Sequence, residues 1–222
     1  MKNFAAITLV FLGGFVIMVL EIIGARFLAK DFGGAFYVWI SQIGVILIAL
    51  AAGYFVGGAM ADRFQKASFL AFLLVPAGVF TCLIPDFAGQ LINAIVMRHP
   101  LDQPIPRIWQ KLDPAVGSAL IFLLPCFVLA TLSPYMIRLA SKNLAQVGKV
   151  SGVISASSTI GSIAGVFISG YILIDAMSLT EIFRASGILT IVLGGLCLFM
   201  DRWLKVGEAF MPEKQPSTGS LK

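Results

Sequence analysis

Apolar residues run along this chain in six long blocks, each closed by a short polar or turn-forming cluster. The first, residues 4–29, ends near Asp31-Phe32-Gly33-Gly34, and the second, residues 37–61, stops at Asp62-Arg63. The third, residues 67–84, meets Pro85-Asp86, and Pro76 inside it predicts a kink. The fourth covers residues 114–140. Asp113 suits its N-cap and Pro114 its first turn, where a missing N–H costs nothing, while Pro125 and Pro134 predict a bend. The fifth covers residues 150–174. The sixth, residues 179–200, opens on Ser178-Leu179-Thr180-Glu181, a capping-box pattern that makes Glu181 a cap rather than a site. A helix crossing a bilayer needs about 20 predominantly apolar residues. The pattern therefore predicts an all-α integral membrane protein, with a six-helix transmembrane domain over residues 1–200 and a flexible polar tail over 201–222.

Two stretches between the blocks leave alternatives open. Past Pro85, the polar residues Asp86, Gln90 and Asn93 recur at helical spacing, so residues 87–97 either extend the third helix or lie in the interface. In the longest connection, Arg98 to Asp113, the residues Ile105, Ile108, Trp109 and Leu112 form one apolar stripe. That stripe is either a short interfacial helix, with Trp109 at headgroup level, or an ordered loop.

Composition narrows the class. Of 222 residues, 59% are apolar and 12% are charged, about half the usual globular share of roughly 25%. Six spans use up nearly all of that length and leave no stretch for an independent soluble enzyme. The net charge of +5 does not point to nucleic acid, since the cations sit at the ends of apolar blocks rather than in a basic run. Cys82, Cys126 and Cys197 each stand alone in an apolar run and His99 is the single histidine, so no cofactor or metal is expected. The first block is too long for a secretory signal and has no small-residue cleavage site before Glu21 and Arg26, so it is expected to remain as a helix.

Orientation follows from the basic residues. Lys2, Arg63, Lys66, Arg138, Lys142, Lys149, Arg202 and Lys205 fall on one side; Arg26, Lys30, Arg98, Arg107, Lys111 and Arg184 fall on the other. Leaving aside Lys214 and Lys222 of the distal tail, the bias of eight to six puts both termini in the cytoplasm of a multi-pass protein in a bacterial-type inner (plasma) membrane.

Small residues recur every four positions on two helices: Ala49, Gly53, Gly57 and Ala61 on the second, Ser157, Gly161, Gly165 and Ser169 on the fifth. Such ridges let backbones approach closely, which is how helices associate in lipid. They occupy the same third of the second helix in each of two three-helix units, which the alternating direction of the chain would make inverted repeats; close packing alone explains them equally well.

Glu21 lies deep in the first block, where a carboxylate costs a few kcal/mol unless it faces protein, finds a partner or stays protonated. It is either a proton- or cation-coupling group or a buried hydrogen-bonded strut. Arg26, five residues on, leaves that face and suits the outer interface. The fifth helix is rich in hydroxyls, Ser155 and Ser158 among them, which line a polar cavity or bond to backbone within the bundle.

Several strings match a known family. Leu20-Glu21-Ile22-Ile23-Gly24-Ala25-Arg26, Phe32-Gly33, Tyr37-Val38-Trp39, and Gly53-Tyr54-Phe55-Val56-Gly57-Gly58 with Ala61-Asp62-Arg63 resemble the start of spermidine-synthase-like membrane proteins. Ser133 to Leu139, Val147-Gly148 and the run from Ser155 to Gly165 agree as well, so the resemblance covers nearly all the membrane region. It implies a bundle like half of a major facilitator fold, a 3+3 inverted repeat, in which Gly58, Asp62 and Arg63 belong to a cytoplasmic loop motif. Many members carry a soluble aminopropyltransferase-like domain after the helices. The 22 residues after Met200 hold no glycine-rich nucleotide loop and no acidic catalytic cluster, so that chemistry is not expected here. Two roles remain: a non-catalytic subunit or anchor that associates with a partner, as a homodimer or in a hetero-oligomeric membrane complex, or a transporter-like half unit moving a small cationic metabolite as a dimer. The candidate functional residues are Glu21, Arg26, Tyr54, Ser155 and Ser158, and the packing residues are Gly53, Gly57, Gly161 and Gly165.

Overall fold

The computed structural model describes residues 2–34, 36–99, 105–141 and 144–203. Of the tail predicted over residues 201–222, the first three continue α8 to Trp203, and 204–222 lie outside the described residues. All regular structure among the described residues is helical: α1 Lys2–Phe32, α2 Phe36–Phe64, α3 Ser68–Val96, α4 Arg107–Ala130, α5 Leu132–Ala140, α6 Leu144–Ile168, a π-helical turn Ser169–Leu173, α7 Ile174–Ala176 and α8 Leu179–Trp203. These give six helices long and apolar enough to cross a membrane, Arg107–Ala140 and Val147–Ala176 each counting as one. The protein is a multi-pass membrane protein.

Several helices run past the predicted boundaries, α6 starting at Leu144 rather than 150 and α8 ending at Trp203 rather than 200, and two of the differences have a clear physical reason. The third span does not stop at Ile84 but continues through Pro85 to Val96. Away from water, ending a helix strands several backbone groups, so running past one missing donor costs less than stopping there. The fourth span begins not at Pro114 but at Arg107, with Pro106 extended ahead of it (φ −54°, ψ 139°) and accepting from the N–H groups of Trp109 and Gln110. The apolar stripe of Ile108, Trp109 and Leu112 is thus the opening of α4. Asp113 lies inside the helix and buried, because its carboxylate is engaged in ion pairs rather than in capping. At the sixth span the capping box forms as expected: Ser178 N–H donates to Glu181 Oε2 at 2.8 Å, and Glu181 N–H donates to Ser178 Oγ at 3.3 Å.

The helices form two layers. In the first, the order is α2, α4, α1, α6; in the second, α3 and α8 pack on each other, α3 behind α4 and α8 behind α1. Phe183 of α8 joins the layers, its ring 5.6 Å from Phe27 of α1 and 6.0 Å from Phe122 of α4. The first and fourth spans are the most enclosed, with 56% and 61% of their apolar stretch buried; the second and fifth, at the flanks, have 28% and 17%.

Both small-residue ridges face inward. On α2, a Cβ at Gly53 would stand 2.5 Å from the carbonyl oxygen of Phe127, and one at Gly57 would stand 2.7 Å from Thr131 Cα. On α6, Gly161 lies against the carbonyl of Phe11 and Gly165 against that of Phe15. In each pair a four-residue step on the ridge meets a four-residue step on its neighbour. The helix pairs α2 with α4 and α6 with α1 are therefore parallel and in matched register. Between α3 and α8 the close approach is reciprocal: Gly78 meets Gly187 and Ile191, while Gly187 meets Gly78 and Cys82.

Candidate functional site

Glu21 sits mid-way along α1, partly exposed, and among the described residues no hydrogen bond or ion pair reaches its carboxylate. Its backbone neighbour does have polar company. The Leu20 carbonyl accepts from Gln42 Nε2 at 3.4 Å, and Gln42 Oε1 accepts from Ser118 Oγ at 2.6 Å. Gln42 and Ser118 are fully buried, and Gly24 allows this contact because any Cβ there would collide with the Gln42 amide. One glutamine thus ties α1, α2 and α4 together at the centre of the front layer. A buried amide needs such partners, since an unpaired one costs about 1–3 kcal/mol. The sequence reading missed this cluster, although a lone Gln between Ser41 and Ile43 in an apolar block was the available signal.

The remaining candidates are spread out. Arg26, Tyr54 and Ser155 are exposed and Ser158 is half-buried. No hydrogen bond or ion pair among the described residues joins any of them to Glu21. The hydroxyls of α6 turn mostly to nearby backbone: Ser157 donates to the Val153 carbonyl at 2.7 Å, Thr159 to that of Ser155 at 3.0 Å, and Ser162 crosses to the Gly14 carbonyl at 3.3 Å. The carbonyl of Ser158 packs against Gly14.

The two ends of the bundle carry distinct charged clusters. At one end, Arg138 Nε donates to Asp62 Oδ1 at 2.6 Å, joining the end of α2 to α5. Tyr135 OH, in the same helix, donates to the Lys66 carbonyl at 2.8 Å, so the connection after Arg63 is held against the fourth span. Gly58 lies earlier on α2, with open space beside it, and the Arg63 guanidinium stacks 5.6 Å from the Phe64 ring centre. Gln65 takes the left-handed conformation (φ +46°) that turns the chain into α3.

At the opposite end, the buried Asp113 carboxylate receives Arg98 on Oδ1 and contacts His99 Nε2 at 2.7 Å on Oδ2. The Arg98 guanidinium lies 4.2 Å from the centre of the Trp109 ring. The end of α3 is therefore clamped onto α4. A third, looser pair, Arg184 with Asp86 at 3.5 Å, links α8 to α3.

Compared with known proteins, the chain matches no family model, no curated protein and no solved structure. Among the described residues, no group of three or more His, Cys, Asp or Glu side chains is placed to hold a metal ion.

Proposed function

We propose that this chain is a non-catalytic membrane subunit that works beside a partner in the bilayer, a second copy of itself in the first instance. The observation that carries the reading is the uneven use of the front layer. α2 and α6 each pack on the bundle along one face, which includes their small-residue ridge, and leave most of their surface uncovered. That uncovered surface includes the polar side chains of Tyr54, Ser155 and Thr159. The family reading points the same way. A six-helix unit like half of a major facilitator fold is completed by a second such unit. Support for the 3+3 inverted repeat comes from the pairing: exchanging spans one, two and three with four, five and six turns the α1–α6 contact into the α4–α2 contact and returns α3–α8 to itself. Both termini are placed in the cytoplasm, on the side of Arg63 and Arg138, of an inner (plasma) membrane.

Light scattering of the mildly extracted chain, corrected for bound detergent, tests this. The expected protein mass is about twice 23.8 kDa. A lone monomer at every protein-to-detergent ratio would end the proposal.

Glu21 favours a second reading, a half unit that couples proton or cation movement to transport. It is a partly exposed carboxylate in the middle of the first span with no ion pair described for it, and such groups mark conduction pathways. In liposomes holding a pH-sensitive dye, Glu21→Gln is expected to abolish proton flux without unfolding the protein. Unchanged flux would reduce Glu21 to a structural group.

A further inference from the structure

A groove of about 280 Å³ opens between α1, α5 and α6 at the Asp62 end of the bundle. Its walls are Ala6, Ile7, Ala140, Val150, Val153 and Ile154, all apolar, and among the described residues the one charged side chain lining it is that of Lys149. Lys149 is exposed, near the start of the fifth span, and no hydrogen bond or ion pair to its ammonium is described. An apolar slot with one cation at its edge matches a molecule that is apolar along its length and anionic at one end.

The groove's size and place select among such molecules. Its volume lies just below the range of about 300–1,000 Å³ typical of ligand pockets, enough for part of one acyl chain. The flanking fifth span is the least covered of the six, so the slot is reached from the bilayer as well as from water. Long basic side chains near helix ends place their ammonium at headgroup level while the stem stays on apolar surface. Basic pockets between transmembrane helices are known seats for anionic headgroups.

We infer that this groove binds one anionic phospholipid, its phosphate on Lys149 and one acyl chain along Val150, Val153 and Ile154. The site borders the uncovered flank of α6 invoked for association, but lipid retention is read on the single chain and does not depend on that reading.

Native mass spectrometry of the full chain, after exchange with vesicles of equal phosphatidylglycerol and phosphatidylcholine, reads the site directly. One phosphatidylglycerol should be retained in preference to phosphatidylcholine. Lys149→Glu should lower its retention by more than about fivefold, the weight of removing one lysine at an anionic surface; Lys149→Arg should keep it. Val153→Trp, which fills the slot, should lower it as well. Equal retention of the two lipids, or phosphatidylglycerol held equally by the Glu and Arg variants, would overturn the site. Displacement of the lipid by millimolar inorganic phosphate alone would overturn the acyl groove and leave only an anion on Lys149.

Discussion

Gln42 and Ser118 meet at 2.6 Å in the middle of the front layer, and the same glutamine reaches the Leu20 carbonyl of α1. Removing Gln42 leaves the Ser118 hydroxyl without this acceptor in an enclosed site. Interhelical hydrogen bonds within membranes are worth about 0.6 kcal/mol on average and up to about 2. Gln42→Leu is therefore expected to lower stability by about 1–2 kcal/mol, and Ser118→Ala by less. The two losses should be non-additive in a double-mutant cycle measured by reversible unfolding in mixed micelles. Strict additivity would show that the pair does not act as one unit.

The α6 ridge allows a test with an internal control. Gly161 lies directly on the Phe11 carbonyl, whereas nothing stands within 4 Å of a Cβ built on Gly152 of the same helix. Gly161→Ala must push α6 away from α1, at a cost of about 1–3 kcal/mol. Gly152→Ala should be neutral or stabilising by up to about 1 kcal/mol, since alanine is the better helix former. If both variants unfold at the same denaturant mole fraction, the close contact contributes nothing.

How far the sequence revealed this fold depends on the kind of signal. Long apolar blocks are a one-dimensional property, so the number and position of the spans were legible, as was the capping box at Ser178. The ridges were legible as surfaces for close packing, but not their partners: which backbone lies on Gly57 or Gly161 depends on how the helices are arranged. Helix ends marked by proline misled the reading, because in lipid the need to pair backbone groups outweighs one missing donor at Pro85. Asp113 was misassigned for a related reason. Its cap position was a local inference, while its actual partners, Arg98 and His99, approach from the turn after α3. Gln42 went unnoticed although an amide in an apolar block always needs a partner.

The Asp113 clamp should matter for stability. Its carboxylate is buried, with a side-chain exposure of 5%, and serves two partners from the end of α3. Asp113→Ala leaves Arg98 and His99 without their anion at a protein-covered site. A loss of about 1–3 kcal/mol is expected, less than for a fully buried pair because Arg98 is 38% exposed. Proteolysis of the 99–106 connection should also accelerate as α3 and α4 separate. By contrast, Asp62→Asn breaks a pair whose members are 69% and 38% exposed, and should cost less than about 1 kcal/mol. Equal losses at the two ends would contradict the assignment of Asp113 as the buried clamp.

The two charged ends also give the proposed orientation of the bundle a test. The Asp62–Arg138 pair and the Arg98–Asp113 cluster lie at opposite ends, since α2 finishes where α5 finishes and α3 runs from one end to the other. An even number of spans returns the chain to the side on which it started. Basic residues concentrate weakly on the side of Arg63 and Arg138, by eight to six. Short connections follow this bias more faithfully than long ones, and the connection at Gln65, between Phe64 and Ser68, is short. That turn should face the cytoplasm and Trp109 the opposite compartment. A fluorescent reporter that matures only in the cytoplasm, fused after α8, should light up, while an alkaline phosphatase inserted at residues 101–104 should be active. A dark fusion after α8 together with an inactive phosphatase would reverse the orientation and move the Lys149 groove to the outer leaflet.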